Sequence, residues 1–300
     1  MTTPPPAILT EGLGKRFGAK WALRDCSLAV PTGRVCGLVG ANGAGKTTLL
    51  RLLAGLSRPS TGRAEVGGQV PRDDSQFLRR VGYLAQEIPL YRRWSAAEHL
   101  RMGAAMNAEW DGEWARERLE GLRIPLGQRV GTMSGGQRAQ VGLVLALAKQ
   151  PEVLLLDEPV AALDPLARRE FLGTLSEAVA ERGTTVVLSS HLVTDLERVC
   201  DHLVVLADSR TVLADDLDDV FATHRLLVGP RRDISAIERD HVVLREERTH
   251  RQLSLWVRLR GPLIDPNWDV QELGLEEIML AYLSLREPAA TGPQPVEVTA

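Results

Sequence analysis

The sequence predicts an α/β fold: a core with a mixed sheet, an N-terminal antiparallel β subdomain and a helical subdomain, followed by a small C-terminal α+β appendage. Short apolar runs at 35–39, Val153–Leu156 and 184–189 are typical of strands buried on both faces. Helical stretches separate these runs, which indicates a parallel arrangement of the strands. Glycine, proline and aspartate turn signals divide the β-rich start of the chain, before residue 40.

Turn signals and helix caps define the elements of the N-terminal half. A glycine-rich turn at 40–45 is expected to open a helix at 46–54. Residues 95–149 have a helical pattern, in which Ser95 and Ser134 each begin a capping box. Further strands are expected at 7–9, at 23–30 and, as short strands, within 62–86, ending with 81–85.

The C-terminal half completes the core and then changes character. A helix is expected over 165–182, and strands 204–206 and 211–213 resemble a final hairpin. After about residue 220 the pattern predicts strands at 226–228 and 253–259 and helices at 234–239 and 275–285. The predicted domains are a disordered N-terminus at 1–6, a core at 7–219 with a helical subdomain at 87–150, an appendage at 220–286 and a disordered tail at 287–300.

Composition excludes several classes of protein. The chain has 300 residues, of which 44% are hydrophobic and 25% charged, so wholesale disorder is excluded. The longest apolar stretches, such as 143–148, are far shorter than the roughly 18 residues of a membrane span, so any work at a membrane is expected to need a partner. No secretory signal is visible at the N-terminus. Three cysteines without metal-ligand spacing suit a reducing cytoplasm.

The charge balance bears on possible partners. The formal net charge is -3, and aromatic residues make up 4% of the chain. A balanced chain gives no electrostatic reason to bind a polyanion, and scarce aromatics disfavour a surface that stacks bases. We therefore expect no nucleic-acid partner.

Residues 40–47 carry the pattern G-x-x-x-x-G-K-[ST] between a predicted strand and a predicted helix. The glycines let backbone N–H groups curl toward phosphates, and the helix N-terminus adds partial positive charge. Lys46 is expected to bridge the β- and γ-phosphates, and the Thr47 hydroxyl to bind Mg²⁺. An ordinary glycine turn is the alternative, which the strand–loop–helix context disfavours. The predicted loop residues are Gly40, Asn42, Gly43, Ala44, Gly45, Lys46, Thr47 and Thr48.

Two acids follow the apolar run Val153–Leu156. Carboxylates at the carboxyl end of a buried strand lie in the ligand crevice of an open α/β sheet. Asp157 is suited to hold Mg²⁺ through water, and Glu158 to activate the attacking water as general base. A plain strand followed by a polar turn is the alternative, which the phosphate loop makes less probable because the metal needs a hard carboxylate opposite Thr47.

A second glycine-rich helix start lies between these two motifs. A serine cap with exposed N–H groups at a helix N-terminus makes another anion site. One chain does not easily bring both anion sites onto one phosphate. The economical arrangement is a dimer in which each copy completes the nucleotide site of the other. We call this segment the signature loop; its residues are Ser134, Gly135, Gly136 and Gln137.

With these motifs, residues 7–215 resemble the ATP-binding cassette (ABC) ATPase family. The resemblance implies a P-loop NTPase core, ATP and Mg²⁺ as ligands, ATP hydrolysis, and a dimer with a second copy or a homologous cassette. It also implies four single-residue roles. These are stacking on adenine for Phe17, contact with Mg²⁺ and the attacking water for Gln86, communication across the dimer for Asp164, and contact with the γ-phosphate for His191.

The departures from the family pattern are mild. Met133 replaces the usual leucine, Phe17 the commoner tyrosine, and Ala161 a small polar residue. Taken alone, Phe17 is more often a core residue, and a histidine after a strand is more often structural. Because Glu158 and His191 are both present, we expect a competent ATPase.

The resemblance further implies a separate multi-span permease, and hence a cytoplasmic cassette on the inner face of the membrane. The helix at 274–283 is similar to the C-terminal end of cassettes from two-component drug and antibiotic exporters, which predicts export; a helix that only closes the appendage is the alternative. Tyr91 and Trp94 suit either a docking rim for the permease or packing of the helical subdomain. The alternative function is a soluble ABC-type ATPase that acts on ribosomes or nucleic acid. The cargo is left open, because it contacts the permease.

Overall fold

The computed structural model describes residues 5–263 and 265–284. Contacts divide the chain into two compact units, Met1–Asp219 and Val220–Ala300. Residues 1–4 of the predicted disordered N-terminus, residues 285–286 of the predicted appendage and the whole predicted tail at 287–300 lie outside the described residues.

The first unit alternates strands with helices. Its elements are β1 (Ile8–Phe17), β2 (Lys20–Val30), β3 (Val35–Gly40), α1 (Lys46–Leu53), β4 (Thr61–Val66), α2 (Ser75–Arg80), β5 (Val81–Leu84), α3 (Ala96–Met106), α4 (Gly112–Gly121), α5 (Gly135–Ala148), β6 (Val153–Leu156), α6 (Pro165–Arg182), β7 (Thr185–Ser189), α7 (Val193–Val199), β8 (His202–Ala207) and β9 (Arg210–Asp216). Helix α8 (Leu217–Thr223) begins in this unit and ends in the next.

A six-stranded sheet in the order β5-β6-β7-β3-β8-β9 positions the site. The neighbouring strands from β5 to β8 pair in parallel, and β9 closes the edge antiparallel to β8. Strands β3, β6 and β7 are buried along their whole length, as apolar runs between two helical layers should be. The segments after β3, β5, β6 and β7 therefore meet at one edge of the sheet, where ligands of such folds bind.

The N-terminal sheet has the order β2-β1-β4 and is antiparallel throughout. Helix α1 buries Leu49, Leu50, Leu52 and Leu53 in the core that this sheet shares with β3. The helix that follows the phosphate loop is thereby fixed between two sheets.

The helical subdomain contains α3, α4 and α5, which bury a separate apolar cluster. Both predicted capping boxes are confirmed: Ser95 caps α3 with Glu98, and Ser134 caps α5 with Gln137. Because the cap fixes where α5 begins, it also fixes the signature loop at the exposed start of that helix.

The second unit is an antiparallel sheet with two helices. Its further elements are β10 (His224–Pro230), α9 (Ser235–Asp240), β11 (Val242–Arg248), β12 (Gln252–Arg258), β13 (Asp269–Glu272) and α10 (Leu275–Leu283), with the strand order β11-β12-β10-β13. Leu253, Leu255 and Val257 alternate inward along β12, as the sequence pattern predicts.

The mixed α/β fold class is confirmed, but several element predictions are wrong. The segment 62–86 is not made of strands alone, because Asp74 caps helix α2, which buries Phe77. Strand β1 extends far beyond the predicted 7–9. The prediction was too short because register shifts between Thr10 and Lys15 break the two-residue alternation of buried and exposed side chains. Strands β11 and β13 were not predicted, because they are edge strands rich in exposed polar residues. None of the helices in the described ranges combines the length and apolarity that a bilayer span requires.

Candidate functional site

The phosphate loop lies between β3 and α1. Gly45, which precedes the helix, has a φ of 107°, a conformation that favours glycine, and a Cβ there would lie 2.4 Å from the carbonyl oxygen of Ala22. Lys46 begins α1, is 6% exposed, and donates from Nζ to the carbonyl oxygen of Gly40 at 2.8 Å. Asn42, Gly43 and Thr47 are exposed, Thr48 is half-buried and Ala44 is buried.

Three predicted catalytic side chains meet at the edge of the sheet. The Nζ atom of Lys46 lies 3.2 Å from Oε1 of Glu158, and Nδ1 of His191 lies 3.3 Å from Oε2 of the same carboxylate. The Glu158 side chain is largely buried and that of His191 half-exposed. Residues that follow β3, β6 and β7 are thus joined through one carboxylate.

Asp157 lies beside Glu158 and is held by hydroxyl groups. Its Oδ1 accepts from the Thr47 hydroxyl at 3.1 Å and from the Ser189 hydroxyl at 3.2 Å. The Ser189 oxygen also accepts from the backbone N–H of Glu158 at 2.8 Å, and Glu158 has a φ of 46°, in the left-handed region. The fully buried Ser189 therefore holds both Asp157 and Glu158 in place. The left-handed backbone at Glu158 directs the two carboxylates to different partners.

Sequence reasoning missed two residues of this site, Ser189 and Tyr83. The Tyr83 hydroxyl lies 3.5 Å from Oδ2 of Asp157, and burial, reinforced by the charge of Asp157, raises the pKa of Tyr83 to about 12. Ser189 ends a buried strand in parallel with β6, which is a signal that could have found it. Tyr83 looks like an ordinary strand aromatic, so only the structure shows its contact.

Two other predicted residues are not joined to the acids. Gln86 is exposed just after β5, and in the described part of the chain no hydrogen bond links it to Asp157 or Glu158. Phe17 ends β1 with 58% of its surface exposed, and the Lys15 ammonium lies 5.1 Å from its ring centroid. An exposed ring at a sheet end is free to stack on a flat ligand.

The signature loop is held by its own helix. The Ser134 hydroxyl accepts from the N–H of Gln137 at 3.1 Å, and the Gln137 side chain accepts from the N–H of Ser134 at 3.0 Å. A Cβ on Gly136 would lie 2.7 Å from the Cβ of Ala167 in α6, so the glycine permits this close packing; Gly135 beside it is exposed. Across residues 5–263 and 265–284, no hydrogen bond or ion pair joins this loop to the phosphate loop.

Asp164 begins α6 next to the signature loop. Its Oδ1 accepts from the N–H groups of Leu166 and Ala167, each at 3.0 Å, so the carboxylate is the N-cap of this helix. That structural role exists within one chain, whereas the role across a dimer stays a prediction.

Comparisons with known proteins identify the family of the chain. The family described as ABC transporter matches residues 23–161. An uncharacterized ABC transporter ATP-binding protein of Nostoc sp. is 35% identical over 237 residues, which are 73% of this chain and 69% of that protein. The chain belongs to the ABC transporter family. It is an ATP-binding subunit and an ATPase, and subunits of this kind dimerise and work with membrane permease components.

Other ABC relatives carry the names of cargoes. The molybdenum import ATP-binding protein ModC of Rhodopseudomonas palustris is 34% identical, over 92% of this chain and 74% of its own. The methionine import ATP-binding protein MetN of Cupriavidus necator is 34% identical, over 76% of this chain and 69% of its own. A solved structure titled "Structure of ATP binding subunit of ABC transporter" has a TM-score of 0.65 at 28% identity and covers 72% of this chain and 92% of that one. ModC and MetN are named as importers, so the predicted export is not confirmed.

The residues present fit a hard divalent cation in this ABC site. The Thr47 hydroxyl and the Asp157 carboxylate supply oxygen donors, which Mg²⁺ prefers, and lie 3.1 Å apart. Among the described residues, no group of three or more histidine, cysteine or acidic side chains is arranged so that it could hold a metal ion. Two protein oxygens suit an ion that takes most of its ligands from phosphate and water.

Proposed function

We propose that two copies of this ABC subunit, or one copy and a homologous cassette, clamp ATP between them and hydrolyse it to drive transport through a separate permease. The convergence of Lys46, Glu158 and His191 at 3.2 and 3.3 Å carries this proposal. At one edge of the sheet, Lys46 supplies a cation for the phosphates, Glu158 a base for water, and His191 a polar group for the γ-phosphate.

The phosphate side of the site binds and orients the nucleotide. Backbone N–H groups of the phosphate loop and the Lys46 ammonium cradle the β- and γ-phosphates, while Phe17 stacks on the adenine. Thr47 and Asp157 would hold Mg²⁺, assisted by Gln86, and the bound ion would supply positive charge against the charge that develops on the phosphates. Ser189 keeps the Asp157 carboxylate aimed at Thr47.

Glu158 activates the water. Its carboxylate takes the proton as the water oxygen bonds to the γ-phosphorus and the bond from that phosphorus to the β-phosphate oxygen breaks, so that ADP leaves. His191, 3.3 Å away, orients that carboxylate and contacts the phosphate. The Lys46 ammonium lies 3.2 Å from the same carboxylate, so the phosphates of a bound nucleotide and the Glu158 carboxylate compete for it. Binding of the nucleotide therefore frees Glu158 to act as a base.

The signature loop supplies the other half of the site. Gly135 and Gly136 offer N–H groups at the start of α5 that the cap between Ser134 and Gln137 does not use, which favours an anion from a partner's nucleotide. Asp164 lies at the start of α6 beside this loop and is suited to report across the dimer.

The partner and direction of transport follow from the same proposal. We place the cassette on the cytoplasmic face of the membrane, bound to a multi-span permease. The rings of Tyr91 and Trp94 lie 4.7 Å apart, tilted by 39°, and both pack on the buried His99. They keep 57% and 36% of their surface exposed, which suits a docking rim. Export stays a prediction, which transport of cargo into inside-out vesicles tests.

Mixing two inactive variants tests the composite site. Lys46→Ala removes the phosphate ligand, and Ser134→Asp keeps a helix cap while placing a negative charge where phosphate should bind. Each variant alone should be nearly inactive in a phosphate-release assay. An equal mixture should recover about a quarter of the wild-type rate, because half of the dimers are mixed and each has one intact site. If Ser134→Asp alone is fully active, the composite site is wrong.

A further inference from the structure

The hairpin between β1 and β2 carries Phe17 at its tip, close to the phosphate loop. A Cβ on Gly45 of that loop would lie 2.4 Å from the carbonyl oxygen of Ala22 and 2.8 Å from Cδ2 of Leu23, so the loop packs directly on β2. Leu23 is the cross-strand partner of Lys15, and Phe17 follows two residues later as the last residue of β1. The ring at the hairpin tip is therefore close in space to the loop that would hold the phosphates.

The turn after α1 holds the same hairpin tip by three hydrogen bonds. The Lys15 ammonium donates to the carbonyl oxygen of Arg58 at 2.8 Å. The N–H of Arg16 donates to the Ser60 hydroxyl at 3.1 Å, and the N–H of Ser60 donates to the carbonyl oxygen of Gly14 at 2.7 Å. This turn precedes β4, which pairs with β1 on the edge opposite β2. The tip is therefore anchored on the side of β1 away from the strand that the phosphate loop contacts.

The Lys15 ammonium also contacts the aromatic ring at the tip. It lies over Phe17, 5.1 Å from the ring centroid, while 58% of the surface of Phe17 remains exposed. The quadrupole of an aromatic ring attracts a cation to its face. A cation over one face leaves the opposite face open to a flat ligand. One ammonium thus connects the exposed ring to the backbone of the turn after α1.

We infer that Lys15 is a positioning residue that holds Phe17 in the orientation in which it stacks on the adenine of ATP. The inference rests on the proposed function, which assigns the stacking to Phe17. An exposed side chain without such a contact spreads over about three rotamers of χ1. The apparent affinity for a ligand falls with the fraction of the protein that stays in the binding orientation. Loss of the ammonium should therefore weaken ATP binding by up to about threefold without removing a contact to the phosphates.

Removal of the charge of Lys15 tests the inference. Binding of ATP and of inorganic tripolyphosphate to the full chain is measured by calorimetry in excess EDTA, which prevents hydrolysis. Lys15→Met keeps an apolar stem, so we expect ATP to bind about threefold more weakly and tripolyphosphate, which has no base, to bind with unchanged affinity. Unchanged ATP binding would overturn the inference. Equal losses for both ligands would also overturn it, because they would show that Lys15 acts through its charge on the phosphates.

A double-mutant cycle tests whether Lys15 acts through the ring. Phe17→Leu removes the aromatic face, and Lys15→Met should have no further effect on ATP binding in that background. An equal loss with and without the ring would overturn the positioning role. The matched control is Lys20→Met, at an exposed lysine of the same hairpin whose ammonium, in the described part of the chain, lies over no ring. It should leave the binding of both ligands unchanged.

The inference and the proposed function fail in different ways. If Phe17→Leu weakens ATP binding but Lys15→Met does not, Lys15 is not a positioning residue, although the stacking by Phe17 stands. If the mixture of Lys46→Ala and Ser134→Asp recovers no activity while calorimetry gives the expected coupling, the composite site is wrong but the role of Lys15 stands.

Discussion

The phosphate loop and the signature loop are both glycine-rich helix starts, yet they are built differently. At the phosphate loop, Lys46 and Thr47 contact Glu158 and Asp157, which lie more than a hundred positions away in the chain. At the signature loop, Ser134 and Gln137 bond to each other across three residues. The first site is assembled by the tertiary fold, and the second by one turn of helix.

This difference supports the proposal that one chain holds only part of a nucleotide site. Side chains around Glu158 contact one another, so tertiary contacts hold the phosphate side together before ligand arrives. The cap of α5 leaves the N–H groups of Gly135 and Gly136 unused, and a helix N-terminus attracts an anion wherever it comes from. The signature loop, built by one turn of helix, can bind a ligand that another chain holds. The phosphate side, built by contacts between distant residues, is sensitive to the loss of any one of those contacts.

The largest effect is expected from Glu158→Gln, which keeps the size and shape of the side chain at the phosphate side of the site. The amide cannot take a proton from water, so turnover should fall by about 10³-fold while ATP is still bound. Phosphate release measures turnover, and calorimetry measures binding. Retained ATP should also trap a dimer, visible by size-exclusion chromatography.

The same substitution at another glutamate is the control for this prediction. Glu87→Gln alters an exposed glutamate outside the contacts of Glu158 and should leave turnover within about twofold of the wild type. Parental turnover in Glu158→Gln would show that another group is the base.

Substitution of Ser134 separates the cap from the anion site at the locally built loop. Ser134→Ala should lower the free energy of unfolding by about 1 kcal/mol, because the N–H of Gln137 loses its acceptor. Ser134→Asp should keep that stability but reduce turnover by at least about 100-fold, because like charges would approach closely. Urea unfolding and phosphate release measure the two effects. Equal turnover in both variants would mean that the loop binds no anion.

The smallest effect is expected at Ser189, which touches the acids but not the nucleotide. Ser189→Ala removes the hydroxyl that joins Asp157 to the N–H of Glu158, and should reduce turnover about tenfold. The control is Ser190→Ala, at a neighbouring buried serine whose hydroxyl, among the described residues, bonds only to the backbone of Leu192. If both variants lose the same activity, the loss reflects packing rather than the orientation of the acids.

Strong local patterns predicted most of the core, and weak ones failed. The apolar runs of β3, β6 and β7 and the two serine caps are correctly predicted, because burial on both faces and capping leave unambiguous signals. Helix α2 escaped prediction since it has six residues and buries one large side chain, Phe77. Edge strand β13 escaped because all four of its residues are exposed.

The sequence by itself determined the phosphate loop, the acid pair after β6 and the capped start of α5, since each depends on residues a few positions apart. Only the tertiary structure decided that Ser189 and Tyr83 hold Asp157 from its two oxygens, and that Gln86 remains apart from the acids in the described chain. The physical reason is the parallel sheet: it brings the ends of β5, β6 and β7 together at hydrogen-bonding distance, and no spacing along the chain encodes which side chains then touch.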